Sequence, residues 1–254
     1  MTLPPSLDSA RIRLRRGGEH VKTLATLEAE VCDGFLRKIE HELPDRIPAE
    51  QFMSVFESLN IKPDVPDTVA IVLGEAVYNF RAALDYAVGQ VSSKQTPTRR
   101  NQQPRRNQFP IESTPAGFSA RRQTFLDGVS EGVAAYIEGL QPYNHCEWTR
   151  RLADLSNLDK HNQLVDVLQA FAISFDDSEV RRMPPPRVDG TKPIVWANLS
   201  AMLRIEYRNP RKRDLLDELH DIEFSVDRTL TILDVELFKP KPTKYPGIRF
   251  PGEF

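Results

Sequence analysis

Gly74 to Val88 reads GEAVYNFRAALDYAV, and the helix it predicts has two faces that differ more than solubility requires. Projected at about 100° per residue, Ala76, Val77, Phe80, Ala83, Leu84, Ala87 and, just beyond, Val91 cover one contiguous side, the mark of a helix turned to a core. Glu75, Tyr78, Asn79, Arg81, Asp85 and Tyr86 take the other side. Arg81 and Asp85 are four apart, so guanidinium and carboxylate can meet along that face, and Glu75 and Asn79 repeat the spacing one turn earlier. An exposed pair of this kind contributes only about 0–1 kcal/mol. The face therefore reads either as a solvated surface or as half of a site whose other half lies on a second element.

That second element is Arg150 to Ala172, RRLADLSNLDKHNQLVDVLQAFA, read as one helix. Leu158, Leu164, Val165 and Leu168 share a side, and His161 projects into the middle of that apolar stripe, with Asn157 one turn earlier and Asp154 beside it. A buried polar group left unpaired costs about 1–3 kcal/mol, so these side chains need partners on another element. The expectation is that Arg81, Asp85, Asn79 or Glu75 meets Asn157, Asp159, Lys160 and His161. The competing reading is a core histidine satisfied within a structural hydrogen-bond network.

The chain of 254 residues is long enough to bury a real core as a single domain, 1–254. Its 34 basic and 36 acidic residues leave a net charge of -2, so nothing global calls for nucleic acid. Cys32 and Cys146 show no CxxC or Cys/His ligand spacing, which argues against a disulfide scaffold or a structural zinc and fits a reducing compartment. The first residues, MTLPPSLDSARIRLRR, lack the apolar run of a signal peptide, and no stretch approaches the roughly 20 apolar residues that span a bilayer. A cytoplasmic protein with no membrane partner is expected.

Leu7 to Leu43 predicts a long helix, with Ile12, Leu14, Val21, Leu24, Leu27, Val31, Phe35 and Ile39 at steps of three and four. The Gly17–Gly18 pair either bends it or marks its true beginning. Arg11, Arg13, Arg15 and Arg16 make a basic run there, which reads first as a solvated face and second as a phosphate-contacting patch. Gln51 to Asn60 mixes helix and strand periods. Ser92 to Gln108 has no apolar residue and carries Arg99, Arg100, Arg105 and Arg106; it is expected to be an exposed loop and a candidate contact for RNA. Apolar points from Phe118 to Leu140 predict one or two helices over 116–141, and His145 and Cys146 fall in the turn that follows. Branched and aromatic runs over 172–208 predict a small antiparallel sheet, 213–238 a last helix, and 239–254 an irregular tail. The expected class is α+β, mostly α: a helical bundle with a small antiparallel β-sheet, its helices at about 7–43, 67–91, 116–172 and 213–238.

The stretch LGEAVYNFRAALDYAV, followed by FPIES, then GLQPY, then LSNLDKHNQL, resembles a bacterial protein family whose members read approximately G-[DE]-x-x-x-N-[LF]-R-x-A-L-D-[HY], F-P-I, L-Q-P-Y and N-x-D-K-H. Order and spacing agree over residues 70 to 168. The resemblance brings no activity with it; it implies that Asn79, Arg81, Asp85, Asn157, Asp159, Lys160 and His161 are motif positions. A weaker resemblance is to the HEPN helical domains of toxin and defence ribonucleases, which place a histidine four to six residues after an arginine on one helix. Arg81 stands in the arginine place, but Tyr86 stands where the histidine would be. A metal-independent ribonuclease needs a group that exchanges a proton near neutral pH, so His161 would have to lie beside Arg81 to supply it.

Three functions follow from these residues. In the first, a HEPN-like protein binds or cleaves RNA, with Arg81 on the phosphate, His161 as general acid or base, and Asp85 or Asp159 orienting it. In the second, the cluster with Glu75, Asn79, Tyr86, Asn157, Asp159 and Lys160 is a hydrogen-bond network inside a non-enzymatic interaction module, which could also form a homo-oligomer. The third, a metal site from Glu75, Asp85, Asp159 and His161, ranks last because Glu-x-x-His is absent. No cofactor is expected, since GxGxxG, GxxxxGK[ST] and GxSxG are all missing.

Overall fold

The computed structural model describes residues 6–42, 52–59, 64–95, 107–160, 167–174, 198–205 and 214–238. Seven helices run through these residues: α1 Asp8–Glu42, α2 Phe52–Leu59, α3 Asp67–Gln95, α4 Pro115–Phe125, α5 Glu131–Gly139, α6 Glu147–Lys160 and α7 Leu215–Phe238, with a 3-10 turn at Pro142–Asn144 between α5 and α6. Local chemistry sets several of their ends. Thr114 is extended (φ -139°, ψ 150°) and accepts a hydrogen bond from the Gly117 N–H, with Pro115 at the first helical position where its missing N–H costs nothing. Ser130 caps α5 by accepting from the Val133 N–H, and Asp214 accepts from the Leu216 N–H at 2.8 Å to start α7. Gly128, at φ 79°, makes the left-handed turn that separates α4 from α5, where a side chain would be strained.

α1, α3 and α7 pack mutually at the centre, and α6 packs on α3 and α7. Val69, Leu73, Ala76, Val77, Phe80, Ala83, Leu84, Ala87, Val88 and Val91 are all buried on α3, the arc that periodicity predicts. The opposing stripes are Leu14, Val21 and Leu24 on α1 and Leu219, Ile222, Val226, Leu230 and Leu233 on α7. Each side chain of this size stabilises by about 1.5–3 kcal/mol on leaving water.

The Gly17–Gly18 pair does not begin α1. The helix runs through both for 35 residues, and the glycines serve close approach. A Cβ on Gly17 would lie 2.5 Å from Cε1 of Phe80, and one on Gly18 would meet the carboxylate of Glu223 on α7. The pair is where α1 presses against both of its partners.

Other expectations change. Residues 52–59 are helix, resolving the mixed period in that direction. α3 reaches Gln95, four residues into the stretch expected to be a loop. The helix read over 150–172 is shorter: α6 ends at Lys160, and Val167–Ser174 is extended. The α+β class is corrected to helical. Among the residues whose burial is described, every one in the core belongs to a helix or a connection between helices. Val167–Ser174 pairs antiparallel with Asn198–Ile205, from Val167 opposite Ile205 to Ser174 opposite Asn198, which is a two-stranded ribbon. Two strands bury too little to make a layer of their own, and the helices already close one another's apolar faces. The basic stretch 96–106 and the tail 239–254 lie outside the described residues.

Gly17→Ala is expected to destabilise the fold by at least about 1 kcal/mol in urea denaturation, because the Phe80 ring is fully buried and cannot yield. Gly18→Ala is expected to be neutral or to gain up to about 1 kcal/mol of helix propensity, since the flexible end of Glu223 can swing away.

Candidate functional site

The polar residues of α3 do not form one cluster. At about 100° per residue, Arg81 and Asp85 fall on one shoulder of the buried arc, and Glu75, Asn79 and Tyr86 on the other, so the two sets face different elements.

Arg81 and Asp85 face the FPI segment. The Phe109 N–H donates to Asp85 Oδ1 at 2.8 Å, and Arg81 Nη2 donates to the Phe109 carbonyl at 2.5 Å. Arg81 Nε lies 3.8 Å from Asp85 Oδ1, with side-chain exposures of 19% and 27%. The two side chains thus present a donor and an acceptor to the N–H and C=O of one residue, as the edge of a neighbouring strand would. Pro110 keeps Phe109 extended, the Phe109 ring is fully buried, and a backbone carried into the core this way must find partners. Burial pushes the Arg81 guanidinium below its ordinary pKa, while Asp85 and Glu112 oppose that shift.

Gln141 completes the clamp from the far side. Its Nε2 donates to the carbonyls of Pro110 and Ile137, both at 2.9 Å, and its Oε1 accepts from the Glu112 N–H at 2.8 Å. It is fully buried. Thr149, on the first turn of α6, reaches the Leu140 carbonyl at 2.7 Å, which ties the same turn to the next helix. Sequence reasoning singled out GLQPY only as a motif and assigned Gln141 no part; the signal was a carboxamide next to a proline in an otherwise apolar run. In the same motif Tyr143 Oη is 3.1 Å from Glu138 Oε1, and burial, with the Glu138 carboxylate beside it, pushes the phenol up to about 12.

The second shoulder faces α1. Asn79 Nδ2 donates to the Glu75 carbonyl at 2.8 Å, which turns Asn79 Oδ1 toward Arg13. Arg13 donates to Asn79 Oδ1 and to Tyr86 Oη, each at 3.4 Å, and its guanidinium lies over the Tyr86 ring, 5.4 Å from the centroid. Accepting from it, Tyr86 holds Arg13 above its ordinary pKa. Glu75 Oε2 lies 3.2 Å from His20 Nδ1. Arg13 was read only as part of the basic run, a solvated face or a phosphate contact, and His20 was given no part. Tyr86 therefore answers Arg13, across from the shoulder that carries Arg81, and the five-residue spacing between Arg81 and Tyr86 joins no common site.

Of the residues expected from α6, Asn157 is exposed. The side chains of Asp159 and Lys160 and all of His161 lie outside the described residues, as do Arg99, Arg100, Arg105 and Arg106. α6 instead contributes Arg151, which sits with Glu218 of α7 at 3.2 Å, both side chains 7% exposed, and reaches Asp221 at 3.5 Å. The signal for this pair was a charge inside each of two apolar stripes, Arg151 beside Leu152 and Leu155 and Glu218 between Leu215, Leu219 and Ile222. Among the described residues no three His, Cys, Asp or Glu side chains converge to hold a metal ion, and no helix is long and apolar enough to cross a membrane.

Gln141→Leu keeps the shape and leaves Pro110, Glu112 and Ile137 without this partner, so a loss of about 2–4 kcal/mol is expected in urea denaturation. Tyr143 supplies a pH test. Its pKa is raised in the folded state, so its contribution is complete below the unfolded value of about 10 and is lost as pH climbs from there to about 12. Absorbance titration should show a tyrosine ionising at the top of that window in wild type and not in Tyr143→Phe.

No family model matches the chain, and no match to it is found among curated proteins or solved structures.

Proposed function

We propose that this chain is a non-enzymatic helical module and that the pattern running through its α3, FPI and LQPY segments marks a way of folding. One observation carries this: both members of the Arg81–Asp85 pair are spent on the backbone of Phe109. An arginine that stabilises a phosphoryl transition state has to offer its N–H groups to the substrate, and Arg81 is mostly buried with a carbonyl and a carboxylate already in place. Tyr86, in the position where a HEPN ribonuclease carries histidine, is engaged with Arg13 of α1. The module reading accounts for Arg81, Asp85, Phe109, Pro110 and Gln141 together, as members of one hydrogen-bonded unit. Its exposed surfaces are then what it works with.

The test is incubation of purified full-length protein with total cellular RNA, with and without EDTA, alongside Arg81→Ala and His161→Ala. Wild type is expected to leave the RNA intact. Arg81→Ala is expected to lose about 2–4 kcal/mol, because it strips a buried carbonyl and a carboxylate of their partner, which corresponds to a Tm lower by about 5–10 °C. RNA cleavage that survives EDTA and vanishes in both variants, each still folded by circular dichroism, would overturn the proposal in favour of the ribonuclease reading.

A further inference from the structure

Arg13 differs from its neighbours in what holds it. Arg11 pairs with Asp234 at 3.1 Å and Arg16 with Glu19 at 3.0 Å. Arg13 is held by an amide oxygen and a phenol, both neutral, and among the described residues it forms no ion pair. Glu75, the carboxylate on that shoulder of α3, is turned to His20. The guanidinium is thus oriented by two bonds, each 3.4 Å long, while its charge stays uncompensated and its remaining N–H groups are unspent. That is the condition of an arginine set for an oxyanion.

Two tyrosines of α3 are exposed, one of them, Tyr86, in contact with Arg13. Tyr86 is 43% and Tyr78 59% exposed, and both influence the Arg13 charge. Eight residues apart, they stand about 12 Å apart along α3. Exposed tyrosine rings are costly to leave in water and are the surfaces on which nucleobases stack. A phosphodiester on Arg13 would carry bases outward to either side, toward the two rings.

We propose that Arg13, Tyr78 and Tyr86 form a binding site for single-stranded nucleic acid on the α1–α3 face, with Arg13 on a backbone phosphate and the two rings on flanking bases. Arg13 and Tyr86 are joined across the helix interface, so the site exists only once α1 and α3 have packed. It does not draw on Arg81 and Asp85, which are engaged with the Phe109 backbone, and it requires no cleavage. The net charge of -2 provides no general attraction for a polyanion, so affinity depends on local contacts and on the salt concentration.

The test is fluorescence anisotropy of a fluorescein-labelled uridine decamer titrated with full-length protein at about 50 mM and about 200 mM KCl. Wild type should bind. Arg13→Gln, which retains a donor for Asn79, should bind about tenfold more weakly, and the slope of log K against log salt should shrink by about 0.7, the value of one released counterion on a single strand. Arg13→Lys keeps the charge and should keep the slope. Tyr78→Leu should bind about fivefold or more weakly with the slope unchanged, as expected for lost stacking. Circular dichroism and Tm establish that each variant is folded. Wild type that leaves the decamer free at the lower salt, an Arg13→Gln variant with unaltered affinity and slope, or an abasic decamer that binds as well as the uridine one would each overturn the proposal. Loss of binding in Arg81→Ala alone would place the contact elsewhere and overturn it as well.

Discussion

A peptide segment buried outside helix or sheet has polar groups that water cannot reach and no ladder to bond with. In this protein the segment is Phe109 to Glu112, and side chains stand in for the ladder. Asp85 accepts its first N–H, Arg81 donates to its first carbonyl, and Gln141 takes the Pro110 carbonyl and the Glu112 N–H. Unmade, each of these bonds would cost about 1–3 kcal/mol, a large share of a total stability of about 5–15 kcal/mol. The clamp also explains why the segment can press Phe109 fully into the core between α3 and the α5–α6 turn.

Around that clamp the helices are held by contacts of two kinds. Apolar stripes set how α1, α3 and α7 face one another, and the Gly17–Gly18 pair sets how near they come, since a methyl group at Gly17 would overlap the Phe80 ring. Charges then fix register. Arg11 reaches Asp234 and Asp227 across the α1–α7 seam. Arg151 and Glu218 are buried between α6 and α7, with Arg151 Nε left without a hydrogen-bond partner. A buried pair of that kind adds little net stability over an apolar substitute, yet removing one member strands the other. It specifies which turn of α6 meets which turn of α7.

Much of this could be read along the chain. The buried arc of α3 followed from periodicity at Ala76, Val77, Phe80, Ala83, Leu84 and Ala87, and the Arg81–Asp85 contact from a spacing of four. The errors have physical causes. Leu164, Val165 and Leu168 continue a helical period past Lys160, and in so short an apolar run a strand gives nearly the same pattern, so the helix was drawn too long. Branched and aromatic residues after Phe171 express a preference for extended backbone, but a preference in two strands does not make a layer. Gly17–Gly18 looked like a break because glycine weakens a helix; packing on two partners outweighs that cost.

Local spacing therefore determined which residues of this protein lie on one helix face and which charges can pair within a turn, because those relations are set by 3.6 residues per turn and need no partner. What each face meets was decided only in three dimensions. Arg81 and Asp85 look from sequence like half of a catalytic pair, and become a backbone clamp because Phe109, 24 residues beyond Asp85, is brought against them. Arg13 looks like one of four exposed arginines, and becomes distinct because Asn79 and Tyr86, 66 and 73 positions away, orient it without neutralising it. Partners that distant are chosen by the burial of apolar arcs on α1 and α3, a property of the whole fold.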